Sequence, residues 1–463
     1  IIEANRFEII RITTLGITGY ENISFSDPIE ENIADLKQIN SELSLFENSK
    51  NIQKLINESI LLLRQSNFEN LDRVKLTREY LDPLYKEILK LHKELGYENI
   101  SDKGNFPVNY EAESMFSNDF YNGDIYTKFR QSNTTKKQID LGKTLFFDPI
   151  LSQNNERACA SCHNPDKGFT DGLAKSRAFN FEGHVDRNSP TILNSAFQSN
   201  YFWDMRSENL EDQVHHVVNS KKEFNTNISE IVFKLRESND YSNIFAEVYK
   251  DDQPINTTNI KTAITAYIRS LSSFNSKFDQ YIRKEIDDID PEIIEGYNLF
   301  AGKANCATCH FAPSFNGTVP PFYFETDGEV LGVPDSSQKH LDKDLGRVKN
   351  MLPQYQYEFL VRMFKTPTVR NVEITAPYMH NGCFNNLNDL MIFYNNGGGE
   401  GEGYKVGNQT LSPDRLNLTQ EEITSIIKFM NSLTDNPYEN DKPNTLPKFE
   451  DKAIDSRIVG GQY

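Results

Sequence analysis

The chain has 463 residues, of which 37% are hydrophobic, and a formal net charge of -18 at pH 7. That length allows two or three domains, each with its own core. So acidic a chain repels nucleic acid and anionic lipid and favours basic partners. No apolar run approaches the length of a membrane span; Ile60-Leu61-Leu62-Leu63 is among the longest.

Residues 1–130 contain no cysteine, and their one histidine is His92. Ile33, Leu36 and Leu43 recur at helical spacing, as do Ile52, Leu55, Ile56, Ile60 and Leu63. A clearer stripe runs Leu84, Ile88, Leu91, Leu95, with Pro83 near its start and Gly96 just past its end. These stripes predict a separate helical N-terminal domain over 1–130, of unassigned role. His92 falls between stripe positions and is expected at the surface. Gly96 to Gly123, rich in Asn, Ser, Asp, Gly and Tyr, reads as a linker.

Beyond this the chain repeats a plan. Gly142-Lys143-Thr144-Leu145-Phe146 precedes Cys159-Ala160-Ser161-Cys162-His163, and Gly296-Tyr297-Asn298-Leu299-Phe300 precedes Cys306-Ala307-Thr308-Cys309-His310. Each copy is followed much later by an amphipathic stripe: Ile264, Ile268 and Leu271 in the first, Ile423, Ile427, Met430 and Leu433 in the second. Few period-2 stretches intervene. The expected fold is mainly α, with tandem cytochrome c-like domains over 131–285 and 286–463.

Cys-x-x-Cys-His is the pattern for covalent attachment of a c-type haem. Two thiols on one helical turn can reach the two vinyl groups of one porphyrin, and the next imidazole swings under the iron. Two covalent haems are therefore expected, on Cys159, Cys162 and His163 and on Cys306, Cys309 and His310. The cysteine pairs could instead share one four-thiolate zinc, which would leave both histidines unused. A disulfide scaffold suits neither the length nor the scarcity of cysteine. Cys383 is the odd thiol, without an evident partner. Haem attachment to thiols implies export, so a periplasmic protein is expected; the chain begins at Ile1 rather than methionine, so an export signal is either removed or outside this sequence, and the N-terminus itself neither supports nor opposes export.

From about Gly142 to Asp435 the chain resembles the bacterial diheme cytochrome c peroxidases and the related methylamine-utilisation enzyme MauG. The matching stretches are Arg187-Asn188-Ser189-Pro190-Thr191, Phe202-Trp203-Asp204, Leu210-Glu211-Asp212-Gln213, Thr366-Pro367-Thr368-Val369-Arg370-Asn371-Val372 and Thr375-Ala376-Pro377-Tyr378-Met379-His380-Asn381-Gly382. Residues 1–130 lie outside the resemblance. It implies that the first haem, on His163, reacts with hydrogen peroxide and that the second, on His310, transfers electrons. Trp203, the one tryptophan of the chain, would relay between them. Gln213 and Glu223 would be the distal pair, the carboxylate moving a proton during O–O cleavage. On local grounds Lys221-Lys222-Glu223 reads only as a solvated charge cluster. Asn188, Thr375 and Pro377 match positions that supply oxygen ligands to a calcium ion.

Counting from His380 to the second iron's distal ligand lands on Tyr394, where ordinary members of the family carry methionine and MauG carries tyrosine. Met391 and Met379 are nearby alternatives. A thioether favours the reduced iron and a phenolate the oxidised states. At the first haem, His184, His215 and His216 are candidates for a removable distal ligand, and without one the iron stays open. The resemblance implies an exported peroxidase that reduces hydrogen peroxide with electrons from a small redox protein, a cytochrome c or a cupredoxin. The alternative is MauG-like oxidation of side chains on a partner protein through a high-valent diheme state. A non-catalytic diheme carrier or sensor is a weaker third reading. A homodimer is compatible with all three.

Overall fold

The computed structural model describes residues 1–21, 27–99, 106–127, 134–350 and 353–462, so the expected boundary at 130/131 lies outside the described residues. The N-terminal part contains α1 (Ile2–Thr14), α2 (Pro28–Leu43), α3 (Lys50–Arg64) and α4 (Asp82–Leu95). Helix α2 starts where a cap is available: Asp27 accepts from the Ile29 amide at 2.9 Å, and Pro28 fixes the first turn. Helix α4 stops at Gly96, whose φ of 66° only glycine adopts without strain. The expected stripes are the buried faces: Ile33, Leu36, Ile52, Ile56, Leu63, Leu84, Ile88 and Leu91 are all inside.

Two expectations fail here for one reason. His92 is buried, with Nδ1 2.8 Å from the Tyr110 hydroxyl. The stretch read as a linker folds back over α4, burying Tyr110, Met115, Phe116, Phe120 and Tyr121. Its aromatic residues, not its polar ones, decide its position. The buried Arg6 guanidinium ties this return to α1 and α4, donating to the carbonyls of Tyr85 at 3.0 Å and Ala112 at 2.5 Å.

The repeated Gly-x-x-Leu-Phe pattern marks two equivalent helix crossings. In the first unit α5 (Lys136–Phe146) crosses α7 (Thr257–Ser270), with α6 (Leu210–Asn219) packed beside them. In the second, α8 (Pro291–Ala301) crosses α10 (Gln420–Asn431), flanked by α9 (Leu387–Asn395). A Cβ on Gly142 would overlap the Ala263 carbonyl, and one on Gly296 would overlap the Ser425 carbonyl. Only a hydrogen at these positions lets the paired backbones touch. The named strands among the described residues are β1 (Gly328–Glu329) and β2 (Phe364–Lys365), antiparallel to each other.

The cores do not follow chain order. The N-terminal helices share one apolar cluster with Phe278 and with Tyr297, Phe300 and Phe429 of the second unit. Asn298 of α8 accepts from the amides of Arg73 at 2.8 Å and Val74 at 3.2 Å, pinning the two parts together. The first unit has its own core, from Leu141 to Leu271, and Phe449 of the C-terminal tail joins it. That tail leaves the second unit and returns to the first: Arg457 grips buried Asp148 with two bonds of 2.6 and 2.7 Å. Among the described residues no helix is long and apolar enough to cross a membrane.

Candidate active site

The first Cys-x-x-Cys-His lies on a single tight turn, Cys159–Ser161, whose Cys159 carbonyl accepts from the amides of Cys162 at 3.2 Å and His163 at 3.0 Å. Both thiols and the imidazole border a cavity of about 500 Å³. The His163 Nδ1 lies 3.0 Å from the Phe169 carbonyl. A proton on that nitrogen leaves the Nε2 lone pair free for a metal. Burial lowers the pKa of His163 and keeps the ring neutral.

The same cavity is lined by Trp203, Gln213 and Glu223. Gln213 stands on α6, whose first turn is capped by Asn209 accepting from the Asp212 amide at 2.9 Å. Glu223 follows that helix on a turn closed by its amide donating to the Ser220 carbonyl at 3.0 Å. The apparent charge cluster is split. Lys221 and Lys222 are exposed, Lys222 pairing with Asp186 at 2.6 Å, while Glu223 turns inward. Burial raises the Glu223 pKa, and the Ser220 hydroxyl and the more distant Arg206 and Arg157 only partly offset it. The result is a carboxyl group able to hold or release a proton within the cavity.

Trp203 is buried, and its Nε1 donates to the Asn188 carbonyl at 2.9 Å. The Asn188 amide in turn donates to the His380 carbonyl at 2.7 Å, and the Trp203 carbonyl accepts from the Lys365 amide at 2.7 Å. The indole therefore sits where the first unit is laced to the 365–380 segment of the second. Asn188 is brought beside the loop that carries Thr375 and Pro377. Its Nδ2 donates to the Leu173 carbonyl at 2.9 Å, which leaves Oδ1 as the atom that could accept a cation; the Thr375 hydroxyl donates to the Asn371 carbonyl at 3.1 Å.

None of the three distal histidine candidates lines the cavity. His184, His215 and His216 are all exposed; His184 is tied to the Lys175 carbonyl at 3.1 Å, and His216 meets the Phe202 ring edge-on.

The second motif repeats the turn over Cys306–Thr308. His310 Nδ1 lies 3.0 Å from the Pro367 carbonyl and 3.3 Å from that of Phe315, and burial pulls its pKa down to about 4. Tyr394, on α9, packs against Val333, Cys383, Phe384 and Phe393. Burial raises its pKa, and Cys306, Cys309 and Glu329 are among the groups that act on its ionisation. Met391 points into the other apolar core, whereas Met379 packs in the cluster that holds Tyr394. Cys383 is buried and makes no disulfide.

The zinc alternative fails on geometry. Cys159 packs against the first unit's core and Cys306 against the other. No three His, Cys, Asp or Glu side chains gather as a metal site among the described residues. A porphyrin does fit the first cavity: two thiols stand at its edge, an oriented imidazole within, and the walls are mostly apolar. One buried atom of that wall, Arg157 Nη1, has no hydrogen-bond partner, which suits an anionic arm of such a group. No sequence signal gives Arg157 a role, although it stands two residues before the motif. Arg187 lies in a family-matching stretch without an assigned role, and joins Asp204 and Asp344 at 2.7 Å each; no local pattern marks Lys365.

Comparison with known proteins agrees with this geometry. A family profile described as Di-haem cytochrome c peroxidase matches residues 136–287. The chain is 32% identical over 329 residues to cytochrome-c peroxidase IdrP1 of Pseudomonas sp. (strain SCT), covering 67% of this chain and 84% of that protein. It is 29% identical over 303 residues to the methylamine utilization protein MauG of Methylorubrum extorquens, covering 65% of this chain and 80% of the other. Among solved structures, a MauG-like protein associated with microbial copper homeostasis superposes with a TM-score of 0.55 at 25% identity, covering 65% of this chain and 90% of that one.

Proposed function

Because the chain belongs to the bacterial diheme cytochrome c peroxidase and MauG family and is an oxidoreductase of that type, we propose that it reduces hydrogen peroxide at its first haem site with electrons delivered through its second. The observation that carries this reading is the single cavity bordered by Cys159, Cys162, His163, Trp203, Gln213 and Glu223. When bound, the c-type haems supply an iron that takes up peroxide and a second iron that passes single electrons.

The residues divide the work. Cys159 and Cys162 would hold the first porphyrin by thioethers, with His163 Nε2 as the metal-binding nitrogen; Cys306, Cys309 and His310 would do the same for the second. Glu223 takes the proton from the near peroxide oxygen and delivers it to the departing one, and its burial raises that carboxyl above the ordinary carboxylate value. Gln213 orients the peroxide through its amide. Trp203 carries electrons between the centres, held rigid by Asn188. The Asn188 side chain and the carbonyls of Thr375 and Pro377 form an oxygen donor set for calcium between the units, a hard-ion chemistry that amide and carbonyl groups suit. Thioether attachment makes a periplasmic location the natural one. The net charge of -18 favours a basic cytochrome c or cupredoxin as donor.

Tyr394 supports the second reading, MauG-like oxidation of side chains on a partner protein. A phenolate on the second iron would disfavour its reduced state and make it a poorer acceptor from an ordinary cytochrome. One experiment separates the readings: spectra of the haem-loaded protein with and without peroxide, followed by turnover with reduced cytochrome c. Rapid oxidation of the cytochrome supports the peroxidase. A long-lived oxidised state with no fast donor supports the MauG-like activity. Spectra that ignore peroxide overturn both and leave an electron carrier.

A further inference from the structure

Among the described residues, the cavity wall contains a buried lysine with no carboxylate beside it. Lys365, at the end of β2, is only 9% exposed and lines the same cavity as His163 and Glu223. Its Nζ donates to the amide oxygen of Gln198 at 2.7 Å, and that partner is neutral. Burial is the sole influence on its ionisation, with no neighbouring carboxylate to offset it, and pulls its pKa down to about 7. An ammonium so enclosed is costly unless a counter-charge completes the site. The partnerless Nη1 of Arg157 belongs to the same wall.

The position of Lys365 is fixed from both sides. Its amide donates to the Trp203 carbonyl at 2.7 Å. Two residues on, the Pro367 carbonyl lies 3.0 Å from Nδ1 of His310. These two contacts fix the Lys365 backbone, and the bond to Gln198 holds its side chain against the cavity wall.

We propose that Lys365 binds a carboxylate arm of the porphyrin held at Cys159 and Cys162, and that this fixed positive charge raises the reduction potential of the first centre. The inference rests on the reading above that a c-type haem fills this cavity. An alkyl carboxylate there meets the ammonium in a water-poor wall, and the pair keeps Lys365 charged at pH values where the lone amine would lose its proton. Positive charge close to a metal centre favours its electron-richer state. Lys365 is thus a positioning and tuning residue, not one that touches peroxide.

The test compares wild type, Lys365→Met, Lys365→Gln and Lys365→Arg, each with its covalent haems counted by mass, in spectroelectrochemical titrations over a pH series spanning neutrality. The expected result is a lower potential for the first centre in Lys365→Met, an altered pH dependence of that potential, an unmoved second centre, and recovery in Lys365→Arg. Should Lys365→Met fail to load haem, Lys365→Gln carries the same comparison, since it keeps a polar group beside Gln198. Loaded variants with wild-type potentials, or a loss that Lys365→Arg does not restore, overturn the role of Lys365 and leave the peroxidase reading intact. A wild-type chain that takes up no covalent haem overturns both.

Discussion

The Trp203 indole donates to the Asn188 carbonyl at 2.9 Å, and the Asn188 amide donates to the His380 carbonyl at 2.7 Å. One asparagine thereby fixes the ring and fastens the first unit to the second. Trp203→Phe removes the donor and leaves the Asn188 carbonyl unpaired, at about 1–3 kcal/mol of stability. Both haems should still attach. Stopped-flow mixing of the half-reduced protein with peroxide should show much slower reoxidation of the second centre; an unchanged rate would rule out the relay.

Glu223→Gln keeps the shape of the side chain and removes its proton chemistry. The reaction with peroxide should slow by about 10²–10⁴-fold. Burial raises the wild-type carboxyl pKa, so its protonated form persists above the ordinary carboxylate range. A base must be ionised to act. The wild-type rate should therefore fall as pH drops through that raised pKa, and the same limb should be missing from the variant's pH profile.

Gly142→Ala and Gly296→Ala place a methyl group on the Ala263 and Ser425 carbonyls. Backbone cannot yield as a flexible side chain does, so each substitution should cost at least about 1–3 kcal/mol in urea unfolding. Matching losses at the two sites would mark the crossings as structural equivalents, whereas wild-type stability in either variant contradicts the close approach.

Asp82 opens α4 and accepts from the Ser114 hydroxyl and the Met115 amide, both at 2.9 Å. Burial pushes its carboxyl from 3.8 up to about 6. The folded chain thus holds a proton that the unfolded chain releases earlier. The stabilisation is complete below the unfolded value and is lost as pH rises through about 6. That displacement is worth on the order of 3 kcal/mol. Asp82→Asn, neutral throughout and still an acceptor, should lose less stability than wild type over this interval; parallel stability curves would show that Asp82 does not titrate there.

The helices and the attachment motifs were legible because both are local codes. Leu84, Ile88, Leu91 and Leu95 describe one face of one helix, and Cys-x-x-Cys-His places three functional groups within a single turn. Gly142 and Gly296 were visible as a repeat, but their use, each admitting another helix's carbonyl, was not. Misreadings arose where distant residues decide. His92 looked exposed until Tyr110 arrived over α4, and Asp148 gave no hint that Arg457 would cross the chain to reach it. Local sequence alone reads Glu223 as solvated like its two lysine neighbours, and the family resemblance places it in the distal pair; the turn at Ser220 separates it from them.

The sequence alone determined two thiol-and-imidazole attachment points, a mainly helical chain and the duplicated plan around them, since each depends on spacing along the backbone. Tertiary structure decided what shares a space. It gathered Trp203, Gln213 and Glu223 around the first attachment turn and merged the N-terminal helices with the second unit. It also shut the Lys365 ammonium inside without a counter-charge. Burial and electrostatics depend on distance through the folded protein, and separation along the chain does not encode that distance.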